Sequence, residues 1–456
     1  MARDLSFLLP EIVVLLGAVG ALIAEMLRST RAALVVLVAA LAGAVALTVP
    51  IIDVETTVFG GTFRIDALSV WAKLILLPAT ALCLLLARAE VRGSAREGTL
   101  YSLLGFTTLG ALILAGAGDM MLLVLGILLT GLASFALVAF PRTDLATEAA
   151  MKFFVFASVT GAVMIFGLTF WFGAAGSTLL AELYQLDSRP LAAALGLVAV
   201  IVGVGYKAAL VPFHFWAPDA YEGAPLSVAA YLSVVPKIGA IFALAQVVRD
   251  LPPTSGWALL MAALAVLSMT YGYLAALVQE NVIRLLAYSS IAQSGYFLLG
   301  VVALGKSSMA LPALVVFAAA YAAMNLGAFA VIACGGRTLE ALRGLGRLHP
   351  FVGVAMVMFL ISLVGIPPLG GFVGKFMLFG TAMDAHFTWL AVIAIINSVI
   401  ALAVYLRVVV PMYQRAAAGA SSGTSPSLWI SFVVWVTLVA TIGIGFAAQA
   451  VLGPLG

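Results

Sequence analysis

Of 456 residues, 64% are hydrophobic and only 9% charged, and the mean hydropathy is +1.21. These values exclude a soluble domain and point to a polytopic helical membrane protein. The formal net charge of +3 is too small to suggest nucleic acid. Cys83 and Cys334 fall in separate apolar stretches and read as packing residues, not as redox or metal groups.

A helix needs about 20 residues to cross hydrocarbon. Runs of that length divide the chain into fourteen predicted spans, at roughly 6–27, 32–52, 66–88, 99–116, 119–140, 149–173, 190–211, 226–247, 257–278, 283–303, 309–334, 351–382, 388–411 and 427–452. The first contains Glu11, is bordered by Glu25 and lacks a small-residue cleavage site, so it reads as a retained helix and not a signal peptide. Pro, Gly and Ser punctuate the connections, as at Pro252-Pro253 and 419–427.

Two spans are broken. The seventh carries Lys207 and breaks at Pro212; the chain then passes through His214, Trp216, Asp219 and Glu222 before the eighth span, which carries Lys237. Asp219 and Glu222 are expected in the connecting loop. The twelfth span is interrupted by Gly365-Ile366-Pro367-Pro368-Leu369-Gly370-Gly371, with Lys375 just beyond. Broken helices at corresponding places in two halves are the sequence sign of an inverted-repeat transporter core. The expected fold is therefore an all-α polytopic membrane protein of about 14 transmembrane helices, with inverted five-helix repeats over spans 4–8 and 9–13. One membrane domain, 1–456, then divides into N-terminal spans 1–3 (1–98), a first repeat (99–248), a second repeat (257–415) and a C-terminal helix (427–456).

Basic residues set the expected orientation. Connections after odd-numbered spans hold eleven arginines: Arg28, Arg31, Arg88, Arg92, Arg96, Arg142, Arg337, Arg343, Arg347, Arg407 and Arg415. The other side holds five basic residues, Arg3, Arg64, Arg189, Arg249 and Lys306. The first set is expected to be cytoplasmic, with both termini on the outer face.

Lysine usage differs. Five of six lysines, Lys73, Lys152, Lys207, Lys237 and Lys375, lie inside predicted spans, while the sixteen arginines keep to connections and span ends. Arginine in practice keeps its proton, whereas a buried lysine readily releases it. An ionisable group at depth costs about 2.5–3.5 kcal/mol on insertion scales and is a functional hypothesis by default. The competing reading of Lys207, Lys237 and Lys375 is snorkelling or static pairing. For Lys207, a long apolar run on one side and six residues before His214 on the other make snorkelling awkward. His214 reads either as a packed histidine or as a proton carrier. Lys152 suits an interfacial anchor, and Glu148 four residues earlier offers it a helical pair. The segment 284–296 strings Tyr288, Ser289, Ser290, Gln293, Ser294 and Tyr296 along one helix, for interhelical bonds or for a water wire between Lys237 and Lys375. No dinucleotide fingerprint, Walker motif, metal-ligand cluster or catalytic triad stands in the chain.

These stretches resemble a known family. The run 205–239, with its Lys-Ala-Ala-x-x-Pro-Phe-His-x-Trp-x-Pro-Asp-x-Tyr-Glu-Gly-Ala-Pro core, together with 284–296, 362–376 and 397–407, is similar to the antiporter-like membrane subunits of respiratory complex I, the proton-translocating NADH:quinone oxidoreductase. The Tyr221-Glu222-Gly223-Ala224-Pro225 run resembles the N-type subunits more than the L and M types or the multisubunit cation/proton antiporters. The resemblance implies proton translocation along Lys207, Lys237 and Lys375, with His214 and Lys152 as further candidates, driven by quinone reduction elsewhere in the complex. It also implies that this chain carries no cofactor, with FMN, iron–sulfur clusters and quinone on other subunits. The implied partners are a neighbouring antiporter-like subunit, small membrane subunits and the lipid bilayer of a bacterial-type inner membrane. Two departures stand out. The family's glutamate in the middle of the fifth span falls at about Leu128, and its tenth-span histidine is Gln293 here. A multisubunit cation/proton antiporter and a non-pumping scaffold subunit are the alternatives.

Overall fold

In hydrocarbon every backbone amide has to find its partner within its own segment or in a neighbour, which leaves helices as the spanning elements of a chain this apolar. The computed structural model describes residues 2–94, 96–415 and 427–452. Residues 419–426 of the expected Gly-Ser connection, and 453–456 at the end of the C-terminal segment, lie outside the described residues.

The first elements are α1 (Ala2–Phe7), α2 (Leu9–Met26), α3 (Thr30–Thr48), β1 (Thr56–Val58), β2 (Phe63–Ile65) and α4 (Ala67–Val91). There follow α5 (Glu97–Ala115), α6 (Met120–Val138), α7 (Asp144–Ala175), α8 (Pro190–Lys207), α9 (Trp216–Gly223) and α10 (Leu226–Val248). The remainder comprises α11 (Trp257–Ala276), α12 (Val282–Val302), α13 (Ala310–Gly335), α14 (Leu345–Leu348), α15 (Pro350–Val364), α16 (Gly370–Asp384), α17 (Thr388–Tyr413) and α18 (Leu428–Leu452). Among the described residues, thirteen helices are long and apolar enough to cross a membrane. The expected twelfth span is the pair α15 and α16, each of 15 residues. The fourteen expected crossings thus map onto these elements. α10, α12 and α13 are buried almost throughout and form the centre; α3, α7 and α18 lie at the rim.

Three local expectations are corrected. A short antiparallel hairpin precedes α4, with Thr56 opposite Ile65 and Val58 opposite Phe63. Its strands of three residues are too short to show period-two patterning. Asp219 and Glu222 lie in the helix α9, not in a loop. Lys152 sits more than two turns into its helix, because α7 begins at Asp144, capped by the Thr143 hydroxyl, which accepts from the Ala146 amide.

Both breaks have local causes. After Lys207 the chain turns through Ala209 at φ +54°, and Pro212 has no amide to continue a helix. The Val211 amide donates to Ser268 Oγ at 3.0 Å. The Trp216 indole donates to the Tyr206 carbonyl at 2.8 Å and closes the gap. α15 ends at Gly365, whose φ of +96° suits glycine. The Gly371 amide, at the start of α16, donates back to Ser362 Oγ at 3.0 Å. A Cβ at Gly371 would lie 1.9 Å from the Ser362 carbonyl oxygen, so only glycine fits this approach.

Candidate functional site

The three lysines are buried, and each has a different set of contacts. Lys207 closes α8, where its ammonium has no hydrogen-bond partner among the described residues and lies 5.3 Å from the Phe153 ring centre. Lys237, at the middle of α10, donates to Ser290 Oγ at 2.7 Å and faces the Tyr221 ring at 5.8 Å. Lys375 lies over the Tyr296 ring at 3.7 Å and donates to the Val364 carbonyl at 3.1 Å and to Ser398 Oγ at 3.4 Å. That carbonyl is one of those freed where α15 stops. Lys375 also lines a cavity of about 290 Å³ with Gly365, Ile366, Phe372 and Ser398.

One helix joins these environments. Ser289, Ser290, Gln293, Ser294 and Tyr296 fall on one side of α12 by helical spacing, and all are buried. Ser294 Oγ donates to the Ala208 carbonyl at 2.7 Å, inside the first break. Gln293 Nε2 donates to the Leu363 carbonyl at 3.1 Å, beside the second break, and to the Tyr273 hydroxyl at 3.1 Å. Tyr405 shares a hydrogen bond with Ser289 at 2.6 Å. Tyr296 shares one with Ser398 at 2.8 Å, and so reaches the serine beneath Lys375. Polar groups therefore run from Lys237 through α12 to Lys375. Gln293 Oε1 and Asn397 Oδ1 are buried without hydrogen-bond partners among the described residues. Buried polar atoms of this kind are the sites that internal water satisfies.

Lys152 and His214 stand apart from this line. Lys152 is 46% exposed and pairs with Glu148 at 2.7 Å, as its spacing predicts, and with Asp219 of α9 at 3.0 Å, which the sequence did not reveal. Asp219 and Glu222 also bind Arg284 at the start of α12, at 2.8 and 2.7 Å. Arg337 completes the cluster by donating to the Glu222 and Ala224 carbonyls. His214 lies in the break between Phe215 and Tyr271, with ring centres 4.5 and 4.6 Å away. Its Nδ1 is buried and unpartnered among the described residues. Leu128, at the position of the expected glutamate, is 49% exposed on the outer surface of α6.

Fold and site together define a class: a polytopic membrane protein with buried lysines arranged about two broken helices. A family profile described as "NADH:quinone oxidoreductase/Mrp antiporter, TM" matches residues 117–401. The chain belongs to that family. It is 38% identical to NADH-quinone oxidoreductase subunit N 1 of Streptomyces griseus subsp. griseus, over 99% of this chain and 98% of that protein. It is 37% identical to F(420)H(2) dehydrogenase subunit N of Methanosarcina mazei, over 80% and 78%. Among solved structures, a chain of respiratory complex I from Thermus thermophilus with bound aureothin superposes with a TM-score of 0.87 at 29% identity, covering 98% of this chain and 99% of that one. A chain of the Mrp complex from Dietzia sp. gives the same TM-score of 0.87 at 22% identity, covering 99% and 96%, and shares the fold.

Proposed function

We infer that this chain is an N-type membrane-arm subunit of a proton-translocating NADH:quinone oxidoreductase. It relays protons along Lys207, Lys237 and Lys375 while quinone reduction elsewhere in the complex drives the movement. The observation that carries the relay is that α12 bonds to both broken helices and also receives the Lys237 ammonium. Discontinuous helices expose carbonyls at depth, where these groups solvate cations and water. A shift of α12 then alters the surroundings of Lys237 and the backbone beside Lys375 together. Lys152, in its Asp219–Arg284–Glu222 cluster, and His214, in the first break, contribute at the end of this path that holds most of the arginines.

Several further parts belong to the same reading. The two broken spans mark inverted repeats over 99–248 and 257–415, flanked by 1–98 and 427–456. Both termini lie on the outer face of a bacterial-type inner membrane. The chain holds no redox site of its own; FMN, iron–sulfur clusters and quinone sit on other subunits. Its partners are a neighbouring antiporter-like subunit and small membrane subunits. Relatives whose names carry different electron donors, NADH and F(420)H(2), support leaving the choice of donor to those other chains.

Affinity purification of the tagged protein in mild detergent, with mass spectrometry and a donor:quinone reductase assay, tests this. Flavin and iron–sulfur subunits are expected to copurify with reductase activity. Recovery of antiporter-like membrane chains alone, with sodium-dependent transport, selects the cation/proton antiporter instead. Leu128 and Gln293 favour a second reading, a subunit that holds the membrane arm together without pumping. Lysine-to-alanine variants that pump normally, while deletion of the chain dissolves the complex, would select it.

A further inference from the structure

A second ionisable pair lies outside the lysine axis, at the N-terminal end of the bundle. Glu11 is the third residue of α2, and Lys73 is two turns into α4. The Lys73 ammonium comes within 3.0 Å of a Glu11 carboxylate oxygen, with Lys73 fully buried and Glu11 6% exposed. A buried ion pair that serves packing alone needs further hydrogen bonds to offset its desolvation. This pair has none: both Glu11 oxygens and Lys73 Nζ lack a directed hydrogen bond among the described residues. The ammonium faces the Phe63 ring of β2 at 5.7 Å. Glu11 also lines an apolar cavity of about 280 Å³, with hairpin residues Phe59, Thr62 and Phe63 on one wall and Leu122 on another.

Other charged groups on the surrounding elements have partners of their own. Arg64 binds Asp250 and Gln246, Asp66 binds Arg249 and Gln246, and Asp119 accepts from Thr178. On α1, Arg3 faces Phe7 and Asp4 has an interaction of its own. At the far end of α2, Glu25 accepts from the Gly98 amide.

We propose that Glu11 and Lys73 form a second proton-holding site beside the hairpin, reached through the cavity that Glu11 lines. Transfer from Nζ to a carboxylate oxygen turns the ammonium–carboxylate pair into a neutral amine and a carboxylic acid, with no change in net charge. Protonation from the cavity side gives the ammonium with a carboxylic acid. The site stands on its own geometry and does not depend on the lysine axis.

Dicyclohexylcarbodiimide tests this on the intact complex in its native membrane. The acid O–H adds across a C=N bond of the reagent, and the adduct rearranges to a stable N-acylurea that peptide mass spectrometry locates. Glu11 is expected to be labelled in the unaltered protein, since the reagent adds to the protonated acid. Lys73→Met, which removes the competing cation, is expected to raise it further. A static ion pair keeps its carboxylate ionised, so an unlabelled Glu11, or labelling that Lys73→Met leaves unchanged, overturns the proposal. If Lys73→Met fails to assemble, labelling of the unaltered protein decides alone.

Discussion

Lys207 and Lys237 are both buried lysines of broken or central spans, yet their surroundings set them apart. Lys237 donates to Ser290 on the helix that reaches both breaks, whereas Lys207 lies by the Phe153 ring without a hydrogen-bond partner among the described residues, and α6 carries Leu128 where the family has its glutamate. Lys237→Ala is therefore expected to abolish most quinone-linked proton uptake in reconstituted vesicles, and Lys207→Ala to remove the smaller part. Equal losses would count against this ordering. Gln293 gives a second residue-scale prediction. Its amide bonds to Tyr273 and Leu363 but does not titrate. Gln293→His places a group with a reference pKa of about 6.5 in the same position. Pumping is then expected to gain a pH dependence that glutamine lacks, rising on the side where the imidazole is neutral and accepts protons. An unchanged pH profile would show that position 293 is off the path. At this scale the sequence was informative about lysine placement and the local Glu148 pair but silent about distant partners, because contacts such as Lys152 with Asp219 span 67 residues.

At the scale of elements, the second break depends on one close approach. Because a Cβ at Gly371 would lie 1.9 Å from the Ser362 carbonyl oxygen, Gly371→Ala forces α15 and α16 apart. Overpacking of this kind costs about 1–3 kcal/mol, occasionally more. Lower thermal stability of the purified complex is expected, together with loss of proton transfer exceeding loss of reductase activity. The α9–α12 junction makes a different prediction. Arg284 holds both Asp219 and Glu222, and hydrogen bonds to charged groups are worth about 1.5–3 kcal/mol each. Arg284→Gln loses both the charge and the reach of the guanidinium. It is expected to loosen α9, seen as faster amide exchange over 216–223, while Arg284→Lys restores part of the protection. The Gly-Pro signals predicted both breaks. They did not predict the helix α9, whose eight residues are too few to show periodicity and which is held by packing of Trp216 against Phe153 at 4.3 Å.

For the whole molecule, the arginine bias predicts an outward N- and C-terminus. Membrane-impermeant labelling of single cysteines near residues 4 and 454 in intact cells is expected to succeed, and labelling near residue 343 to require permeabilisation. The reverse pattern would invert the assigned direction of the lysine path. Span number and the two interruptions were readable from the chain because hydrocarbon thickness, proline and glycine act locally on each segment. Family membership was readable for a related reason, since the long motif around Lys207 to Lys237 is contiguous. The tertiary structure alone decided that α12 touches both breaks, that Glu11 meets Lys73, and that a hairpin lies beside that pair. Apolar helices bury similar area in many arrangements, so hydropathy does not choose among them. The choice is made by small-residue approaches and by polar groups that have to find one another at depth.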